Sequence, residues 1–320
     1  MTTKEKLLAF MKQQPETVFS GERLAKTLDV SRTAIWKAIR ELEKKGYQFD
    51  HLANGYRYIP ADILAADELA LPELPQERIF LTDHSPSTMS DARHYIPSGQ
   101  PTPALFLTEA QSAGHGRFGR PFFSPSGQIY MSLLLQPNQT FEELPQYTLL
   151  AAVAVAQAID ELTGVSTDIK WVNDIYLAGQ KVCGILTEAT SDIESGRISH
   201  IIIGIGLNFS IKPEDFPTEL QQKATSLFKG APTTILRNQL IHLIWQNFFD
   251  LLAHLPDQSY MSLYRQKSFV LGKTVHFTQQ NKSYSGIATA ITNTGELIVA
   301  TSEGEKALAS GEISLAKIEL

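Results

Sequence analysis

The sequence contains a single cysteine, Cys183, among its 320 residues, which excludes an internal disulfide and any cysteine-based metal cluster. No apolar run approaches the ~20 residues that a membrane-spanning helix needs. The opening stretch, MTTKEKLLAFMKQQ, is charged and has no apolar signal-peptide region. The histidines show no HExxH or other metal-ligand spacing, and no Gly-x-Ser-x-Gly nucleophile elbow is present. These absences predict a cytoplasmic protein with no membrane partner.

The charge is unevenly distributed along the chain. Residues 1–60 hold 11 Lys and Arg against 7 Asp and Glu, a balance of +4, although the whole chain carries −6. The remainder therefore carries −10. A basic end on an acidic body indicates that the first segment is the part that meets a polyanion. The length predicts two or three domains.

The first 60 residues predict a helix-turn-helix. Ser31 is a suitable N-cap for a helix in which Ile35, Ile39 and Leu42 form one apolar face, and Gly46 is placed to end it. Only "DVS" separates this helix from the preceding one, which is the tight turn of the motif. The predicted DNA-binding residues on this helix are Ser31, Arg32, Thr33, Trp36, Lys37 and Arg40.

Two aromatic-rich runs flank Asn54-Gly55, a strong hairpin signal. Three helices followed by a hairpin are the parts of a winged helix, with Arg57 on the wing able to meet phosphate. The alternative is a helical bundle that binds another protein. We predict a DNA-binding domain over residues 1–60 and a linker over residues 61–74, which are acidic, rich in alanine and end in prolines.

Beyond the linker, strand-like and helix-like stretches alternate. PALFLTEA, QIYMSLLLQP, STDIKWVNDIYL, KVCGILTEA and SHIIIGIGLNF are typical of strands, whereas QYTLLAAVAVAQAIDELTG and LRNQLIHLIWQNFFDLLAHL are typical of helices. This pattern predicts an α+β fold with a layered central domain over residues 75–268. Short strands with turns follow in residues 269–320.

Four features of the central domain are difficult to explain by packing. The glycine-jointed loop QSAGHGRFGR (residues 111–120) is suited to bind an anion through backbone N–H groups and arginines. KWVND (residues 170–174) offers groups for anion contact, hydrogen bonding and metal–water ligation, or it is a charged turn. Lys181 is either a gatekeeper at a sheet edge or a functional cation returned by a hairpin toward Asp174. Gly204 and Gly206 interrupt a core strand, which favours close approach of a ligand read by Asn208.

These motifs, in this order and at these intervals, resemble those of the biotin protein ligases. The helix-turn-helix in front resembles the bifunctional members, which combine a biotin operon repressor with a biotin–[acetyl-CoA-carboxylase] ligase. GEISL (residues 311–315) is similar to the closing signature of the family. The resemblance implies a mixed sheet in the central domain and an SH3-like β-barrel in residues 269–320.

The resemblance also implies substrates, partners and residue roles. Biotin and ATP, with Mg²⁺, would form biotinyl-5′-AMP, and the acceptor would be a biotin carboxyl carrier domain. The adenylate would promote a homodimer that binds operator DNA. Arg117 and Lys181 would be catalytic, and Asp174 would lie near Mg²⁺. The biotin-binding residues implied are Ser87, Thr88, Met89, Gln111, His115, Gly116, Arg117, Ser132, Lys181, Gly184, Gly204 and Gly206. The ATP-binding residues implied are Arg117, Arg120, Lys170, Asn173, Asp174 and Asn208.

The sequence departs from the family pattern at five positions: Met89, His115, Phe122, Val172 and Ala316. Some members have asparagine at position 89 and some have a basic residue at 316. Many members have arginine at 115, tryptophan is common at 122, and proline is usual at 172. Two other functions stay open at this point. One is a DNA-binding regulator that senses a ligand without ligase activity, and the other is a lipoate-type ligase on the same general fold.

Overall fold

The computed structural model describes residues 2–137, 144–191, 198–279, 282–309 and 313–315. The chain divides into two compact units, Met1–Leu64 and Ala65–Leu320. No helix in the described ranges is both long and apolar enough to cross a membrane.

The first unit is a three-helix domain with a small sheet. Its elements are α1 (Thr3–Lys12), β1 (Val18–Phe19), α2 (Gly21–Leu28), α3 (Arg32–Lys44), β2 (Gln48–Leu52) and β3 (Gly55–Ile59). The strands form an antiparallel sheet in the order β1-β3-β2. Leu7, Phe19, Leu24, Ile35 and Ile39 are fully buried in its core. The predicted helix-turn-helix and wing are confirmed.

Local chemistry explains the ends of α3 and shifts one predicted turn. The Ser31 hydroxyl accepts a hydrogen bond from Ala34 N at 3.1 Å, and Gly46 adopts a φ of +94° after the last turn. Leu52 pairs with Gly55, so the hairpin turn is Ala53-Asn54 rather than the predicted Asn54-Gly55. A Cβ on Gly55 would lie 2.1 Å from Phe19 O. Gly55 is therefore needed because β1 packs against it.

The second unit is built on a seven-stranded sheet. Its strands are β4 (Ile79–Ser85), β5 (Ala104–Gln111), β6 (Ile129–Leu135), β7 (Asp168–Lys170), β8 (Asp174–Leu177), β9 (Gln180–Ser191) and β10 (Ile198–Leu207). They lie in the order β4-β5-β6-β10-β9-β8-β7, and every neighbouring pair is antiparallel except β4 with β5. The helices are α4 (Ala66–Leu69), α5 (Thr88–Tyr95), α6 (Leu144–Thr163), α7 (Arg237–Ala253) and α8 (Tyr260–Lys267).

The two faces of this sheet are covered differently. On one face, Thr148 of α6 hydrogen-bonds Thr187 of β9 at 2.8 Å, and Trp245 Nε1 of α7 lies 3.2 Å from Met131 Sδ of β6. As predicted, α6 is buried almost all round. The opposite face receives α5, whose Met89 packs over Gly204. Glycines leave that second face open for a cavity.

A five-stranded antiparallel sheet completes the second unit. Its strands are β11 (Thr274–Gln279), β12 (Lys282–Ile291), β13 (Leu297–Thr301), β14 (Gly304–Leu308) and β15 (Ile313–Leu315), in the order β14-β13-β12-β11-β15. Within GEISL, residues 313–315 form β15, whereas Gly311 and Glu312 lie outside the described residues. Ala316, which follows GEISL, also lies outside them. The α+β fold class is confirmed, with a helix-turn-helix, a central mixed sheet and a C-terminal antiparallel sheet.

The segment predicted as a linker is partly incorporated into the second unit. Leu69 of α4 and Leu74 are buried. Asn238 of α7 accepts a hydrogen bond from Ala65 N at 3.3 Å and donates one to Glu68 at 2.6 Å. Residues 65–69 therefore pack onto α7, and this part of the predicted linker belongs to the second unit.

Candidate functional site

A cavity of about 260 Å³ opens on the glycine-bearing face of the seven-stranded sheet. Gly184, Gly204 and Gly206 line it, and Gly206 pairs with Gly184 across β9 and β10. A Cβ on Gly204 would lie 2.5 Å from Met89 Sδ, and one on Gly206 would lie 2.7 Å from the Phe122 ring. The strand glycines thus allow close approach of the Met89 and Phe122 side chains, and the predicted approach of a ligand to this strand stays a prediction.

Hydroxyl and amide groups gather at the start of α5. Thr88 N donates to Gln111 Oε1 at 3.0 Å, and the Thr88 and Ser132 hydroxyls are 2.7 Å apart. Gln111 Nε2 donates to Ser124 Oγ at 3.2 Å. Thr88 and Ser132 are buried, so their donors and acceptors are fixed by these contacts, and Ser87 is buried beside them with its N donating to Ser85 Oγ at 3.1 Å. This cluster is suited to recognise a small polar group with matched hydrogen bonds.

The glycine-arginine loop begins where β5 ends. Gly116 N donates to Arg120 O at 2.8 Å and Phe122 N donates to Gly114 O at 2.9 Å, which closes the loop on itself. Arg117 Nη1 donates to Asn173 Oδ1 at 3.4 Å, so the loop reaches KWVND. His115, an open assignment from the sequence, places Nδ1 3.3 Å from Ala113 O. The loop holds its arginines against the cavity by backbone hydrogen bonds.

Lys181 and Asp174 face each other across the β8–β9 hairpin. Ala178 and Gly179 form its turn, with φ values of 46° and 79°. Lys181 Nζ lies 2.7 Å from Asp174 Oδ1, which confirms the predicted proximity. That oxygen is buried and has no partner of hydrogen-bond geometry in the described chain, so the contact is an ion pair only. The side chains are 33% and 21% exposed, respectively, so the cation reaches the cavity without being fully solvated.

KWVND connects two antiparallel strands instead of lying within one. Asn173 Nδ2 donates to Ile185 O at 2.7 Å, and Tyr264 OH of α8 donates to Val172 O at 2.9 Å. The Trp171–Val172 peptide bond is cis. Lys170 Nζ lies 5.9 Å from the centroid of the Tyr176 ring. The motif is therefore a fixed corner whose polar side chains point at the cavity.

The structure brings nearly all predicted ligand-binding residues to one cavity. Ser132 is the exception, because it lies behind Thr88 and does not form part of the wall. Asn208 lines the cavity, and its Nδ2 donates to Thr225 O at 2.9 Å. The other predicted residues in the wall are Ser87, Thr88, Met89, Gln111, His115, Gly116, Arg117, Arg120, Lys170, Asn173, Asp174, Lys181, Gly184, Gly204 and Gly206.

Sequence reasoning missed several parts of the wall. Phe216, Leu220 and Ala224 come from the segment after β10, and Ile313 comes from β15. These residues are apolar and lie in segments that the motifs of the sequence do not include, so no motif marked them. Cys183 also lies at the cavity wall, and burial raises the pKa of its thiol, which keeps the thiol protonated and unreactive.

In the first unit, a groove runs between α3 and the β2–β3 hairpin. Arg32, Thr33 and Trp36 line it, with Asn54 and Tyr56 opposite. Lys37 and Arg40 lie on the same exposed side of α3. Trp36 is 48% exposed, which is unusual for a large apolar side chain in a small domain. This face has the shape and residue types of a nucleic-acid interface.

Three of the predicted DNA-binding residues have partners within the unit. Ser31 caps α3, as described above. Arg57 Nε donates to Asp50 Oδ2 at 2.9 Å, and Arg40 Nη1 lies 3.5 Å from Glu43 Oε2. His51 Nε2 lies 2.6 Å from Glu43 Oε1, so the hairpin is connected to α3. A polyanion would compete with the acidic partners of Arg40 and Arg57.

Comparison with known proteins gives the class. Residues 82–208 match the biotin/lipoate A/B protein ligase family, residues 3–57 match an HTH domain, and residues 270–316 match the biotin protein ligase C terminal domain. The biotin protein ligase of Aquifex aeolicus, solved with biotin and ATP, superposes with a TM-score of 0.64 at 24% identity. The superposition covers 75% of the present chain and 99% of the Aquifex aeolicus chain, and at this identity it shows a shared fold alone.

Full-length relatives make the assignment specific. The bifunctional ligase/repressor BirA of Bacillus subtilis is 35% identical over 98% of this chain and 99% of its own length. The protein of the same name from Escherichia coli is 28% identical over 94% of each chain. The present chain belongs to the bifunctional ligase/repressor family.

Proposed function

We propose that this chain activates biotin with ATP to biotinyl-5′-AMP and transfers biotin to a lysine of a biotin carboxyl carrier domain of acetyl-CoA carboxylase. One observation carries the proposal: a single cavity joins a hydroxyl–amide cluster at Thr88 and Gln111 to a cationic wall at Arg117 and Lys181. The cluster suits the ureido ring of biotin. The cations suit the carboxylate of biotin and the phosphates of ATP, the two anions that must react.

In the first step, a biotin carboxylate oxygen forms a bond to the α-phosphorus of ATP, and pyrophosphate leaves with the electrons of the broken P–O bond. Lys181 and Arg117 compensate the negative charges that approach each other, and they are held in place before reaction. Asn173 orients Arg117 through their hydrogen bond. Arg120, Lys170 and Asn208 would hold the nucleotide.

In the second step, the neutral amine of the carrier lysine attacks the acyl carbon of the adenylate. An amide bond forms, the acyl–phosphate bond breaks, and AMP leaves with the electron pair. The glycine-arginine loop covers the mixed anhydride and slows its hydrolysis until the carrier arrives.

Magnesium fits this site as an ion held largely by the nucleotide. No group of three or more His, Cys, Asp or Glu side chains converges on one point in the described ranges. Asp174 offers one carboxylate, whose Oδ1 is also ion-paired with Lys181 Nζ at 2.7 Å. Mg²⁺ is commonly bound by one or two carboxylates plus substrate phosphates and water, where it neutralises phosphate charge.

The ligase proposal is tested by incubating the chain with ATP, Mg²⁺, labelled biotin and a carrier domain. We expect pyrophosphate release and one label per carrier, both dependent on ATP. Parallel incubation with lipoate and a lipoyl domain separates a lipoate-type ligase. Absence of biotin transfer under these conditions would refute the proposal and leave a ligand-sensing regulator.

We further propose that the first unit represses transcription by binding operator DNA, and that the adenylate promotes a homodimer that binds more tightly. Such a protein acts in the cytoplasm. The support is the exposed face of α3 with its groove and the basic balance of residues 1–60. Operator affinity at fixed salt should rise when biotin and ATP are both added. Equal affinity with and without the ligands would refute the coupling.

A further inference from the structure

One turn of the small C-terminal sheet contacts the corner that carries KWVND. Trp171 is 3% exposed, and its indole Nε1 donates a hydrogen bond to Gly295 O at 2.9 Å. The two residues are 124 positions apart in the sequence. A buried indole N–H requires an acceptor. Here the acceptor is a backbone carbonyl in the turn between β12 and β13.

The turn is shaped so that this carbonyl stays in place. Thr292 N donates to Glu296 O at 2.9 Å, and Gly295 N donates to Thr292 O at 3.1 Å. Gly295 has a φ of +89°, and a Cβ there would lie 2.5 Å from Leu149 Cδ1 on α6. Both the backbone conformation and the close approach therefore require glycine.

A second contact fixes the strand that leads into the turn. Arg265 of α8 donates from Nε to Ile291 O at 2.8 Å, and its guanidinium also contacts Asn293. The neighbouring α8 residue Tyr264 donates to Val172 O. The helix α8 thus contacts both the strand before the turn and the corner, and its contact with the corner is at Val172, the residue after Trp171.

The hydrogen bond of Trp171 matters for the corner because polar residues of the site both precede and follow Trp171 in the chain. Lys170, Asn173 and Asp174 line the cavity, and Asp174 pairs with Lys181. Misplacement of reacting groups by about 1 Å can reduce rate by as much as ~100-fold. Because the three residues are within three positions of Trp171 in the chain, a displacement of the Trp171 backbone would shift their backbone as well.

We propose that Trp171 and Gly295 are positioning residues for adenylate formation: the turn of the C-terminal sheet sets the placement of Lys170, Asn173 and Asp174 through one buried hydrogen bond. This inference rests on the proposed ligase function. The hydroxyl–amide cluster at Thr88 lies on other elements, so the effect should fall on ATP use and on the chemical step, with little effect on biotin binding.

The test compares Gly295→Ala with Gly304→Ala by steady-state pyrophosphate release. Gly304 begins β14 directly after another turn of the same sheet and has a φ of +104°, but no atom lies within 4 Å of a Cβ built there. Both variants strain a left-handed turn, whereas only Gly295→Ala pushes against Leu149. We expect Gly295→Ala to lose roughly 10-fold in kcat, with the KM for biotin changed less than about 2-fold, and Gly304→Ala to match the wild type.

Trp171→Phe removes the donor while keeping an aromatic ring, and it should show the same division between kcat and the KM for biotin. If both changes act through one hydrogen bond, the double variant should be no slower than the slower single variant. The NMR spectrum of the wild type should show an indole N–H resonance that is missing from the spectrum of Trp171→Phe. That resonance belongs to Trp171, which is one of three tryptophans in the sequence. That resonance should shift in Gly295→Ala and not in Gly304→Ala.

The outcomes are separable from failure of the ligase proposal. A wild-type chain that releases no pyrophosphate refutes the proposed function. An active wild type with an unshifted Trp171 resonance and full activity in Gly295→Ala refutes the positioning role. Equal losses in Gly295→Ala and Gly304→Ala also refute it. Should Trp171→Phe not fold, the comparison of the two glycine variants decides the question.

Discussion

Replacing Lys181 by methionine should remove catalysis while costing only modest stability. Lys181 and Asp174 form an ion pair 2.7 Å apart, with side chains 33% and 21% exposed. An exposed pair contributes about 0.2–1 kcal/mol, and breaking a fully buried pair costs about 3–5 kcal/mol. Because this pair is partly exposed, we expect Lys181→Met to lower the free energy of unfolding by about 1–2 kcal/mol.

The catalytic effect should be much larger. Removing one preorganised group that stabilises transition-state charge typically costs about 100- to 1,000-fold in kcat. We therefore expect pyrophosphate release to fall by about that factor. The release is measured with saturating ATP and biotin, and urea unfolding is measured on the same preparation.

The matched control is the double variant Lys181→Met with Asp174→Asn. It removes the unpaired carboxylate, so the free energy of unfolding should return toward the wild-type value. Activity should stay lost, because both the cation and the carboxylate offered to Mg²⁺ are then missing. Recovery of activity with stability would show that Lys181 acts only in folding. More than a tenth of wild-type activity in Lys181→Met would contradict the catalytic assignment.

Three further predictions concern other parts of the molecule. Arg237 is 3% exposed and donates to Glu109 at 2.7 and 2.9 Å, but Glu109 is 30% exposed and Gln128 O also accepts from Arg237 at 3.1 Å. Glu109→Ala should therefore cost about 2–3 kcal/mol in urea unfolding, less than breaking a fully buried pair, and a loss below about 1 kcal/mol would contradict this. Burial raises the pKa of Tyr260 to about 12, so its contribution to stability is complete below its unfolded pKa of about 10 and is lost as pH rises through 12. Tyr260→Phe should flatten that decline in unfolding free energy, and an unchanged slope would refute the reasoning. Lys37→Ala should reduce the salt dependence of operator binding by about one phosphate contact, with no change in ligase activity; an unchanged salt slope would exclude Lys37 from the interface.

Local signals in the sequence predicted much of this architecture. The N-cap at Ser31, the stop at Gly46 and the apolar spacing between them predicted α3 because capping and amphipathicity act within a few residues. Continuous apolar runs predicted β6 and β10. Short or irregular elements were not predicted: β1 has two residues, and α5 lacks a strong apolar period.

The candidate site was predicted as a set of motifs. The hairpin at Ala178-Gly179 was enough to bring Lys181 near Asp174, because a tight turn fixes the register of its flanking strands. The wall from residues 216–224 and from Ile313 could not be predicted, since apolar residues of two distant segments carry no signal that they meet. The position of Ser132 behind Thr88 also required the packing of α5 on the sheet.

By itself, the sequence determined the chemistry available to this protein: two arginines among glycines, a lysine returned toward an aspartate, and glycines in a core strand. These are properties of residue type and short spacing. Only the tertiary structure decided what those groups contact. Met89 and Phe122 cover the strand glycines, Arg117 meets Asn173, and a turn of the distant C-terminal sheet accepts the Trp171 hydrogen bond. Such contacts depend on how whole elements pack, because packing joins residues that no local pattern relates.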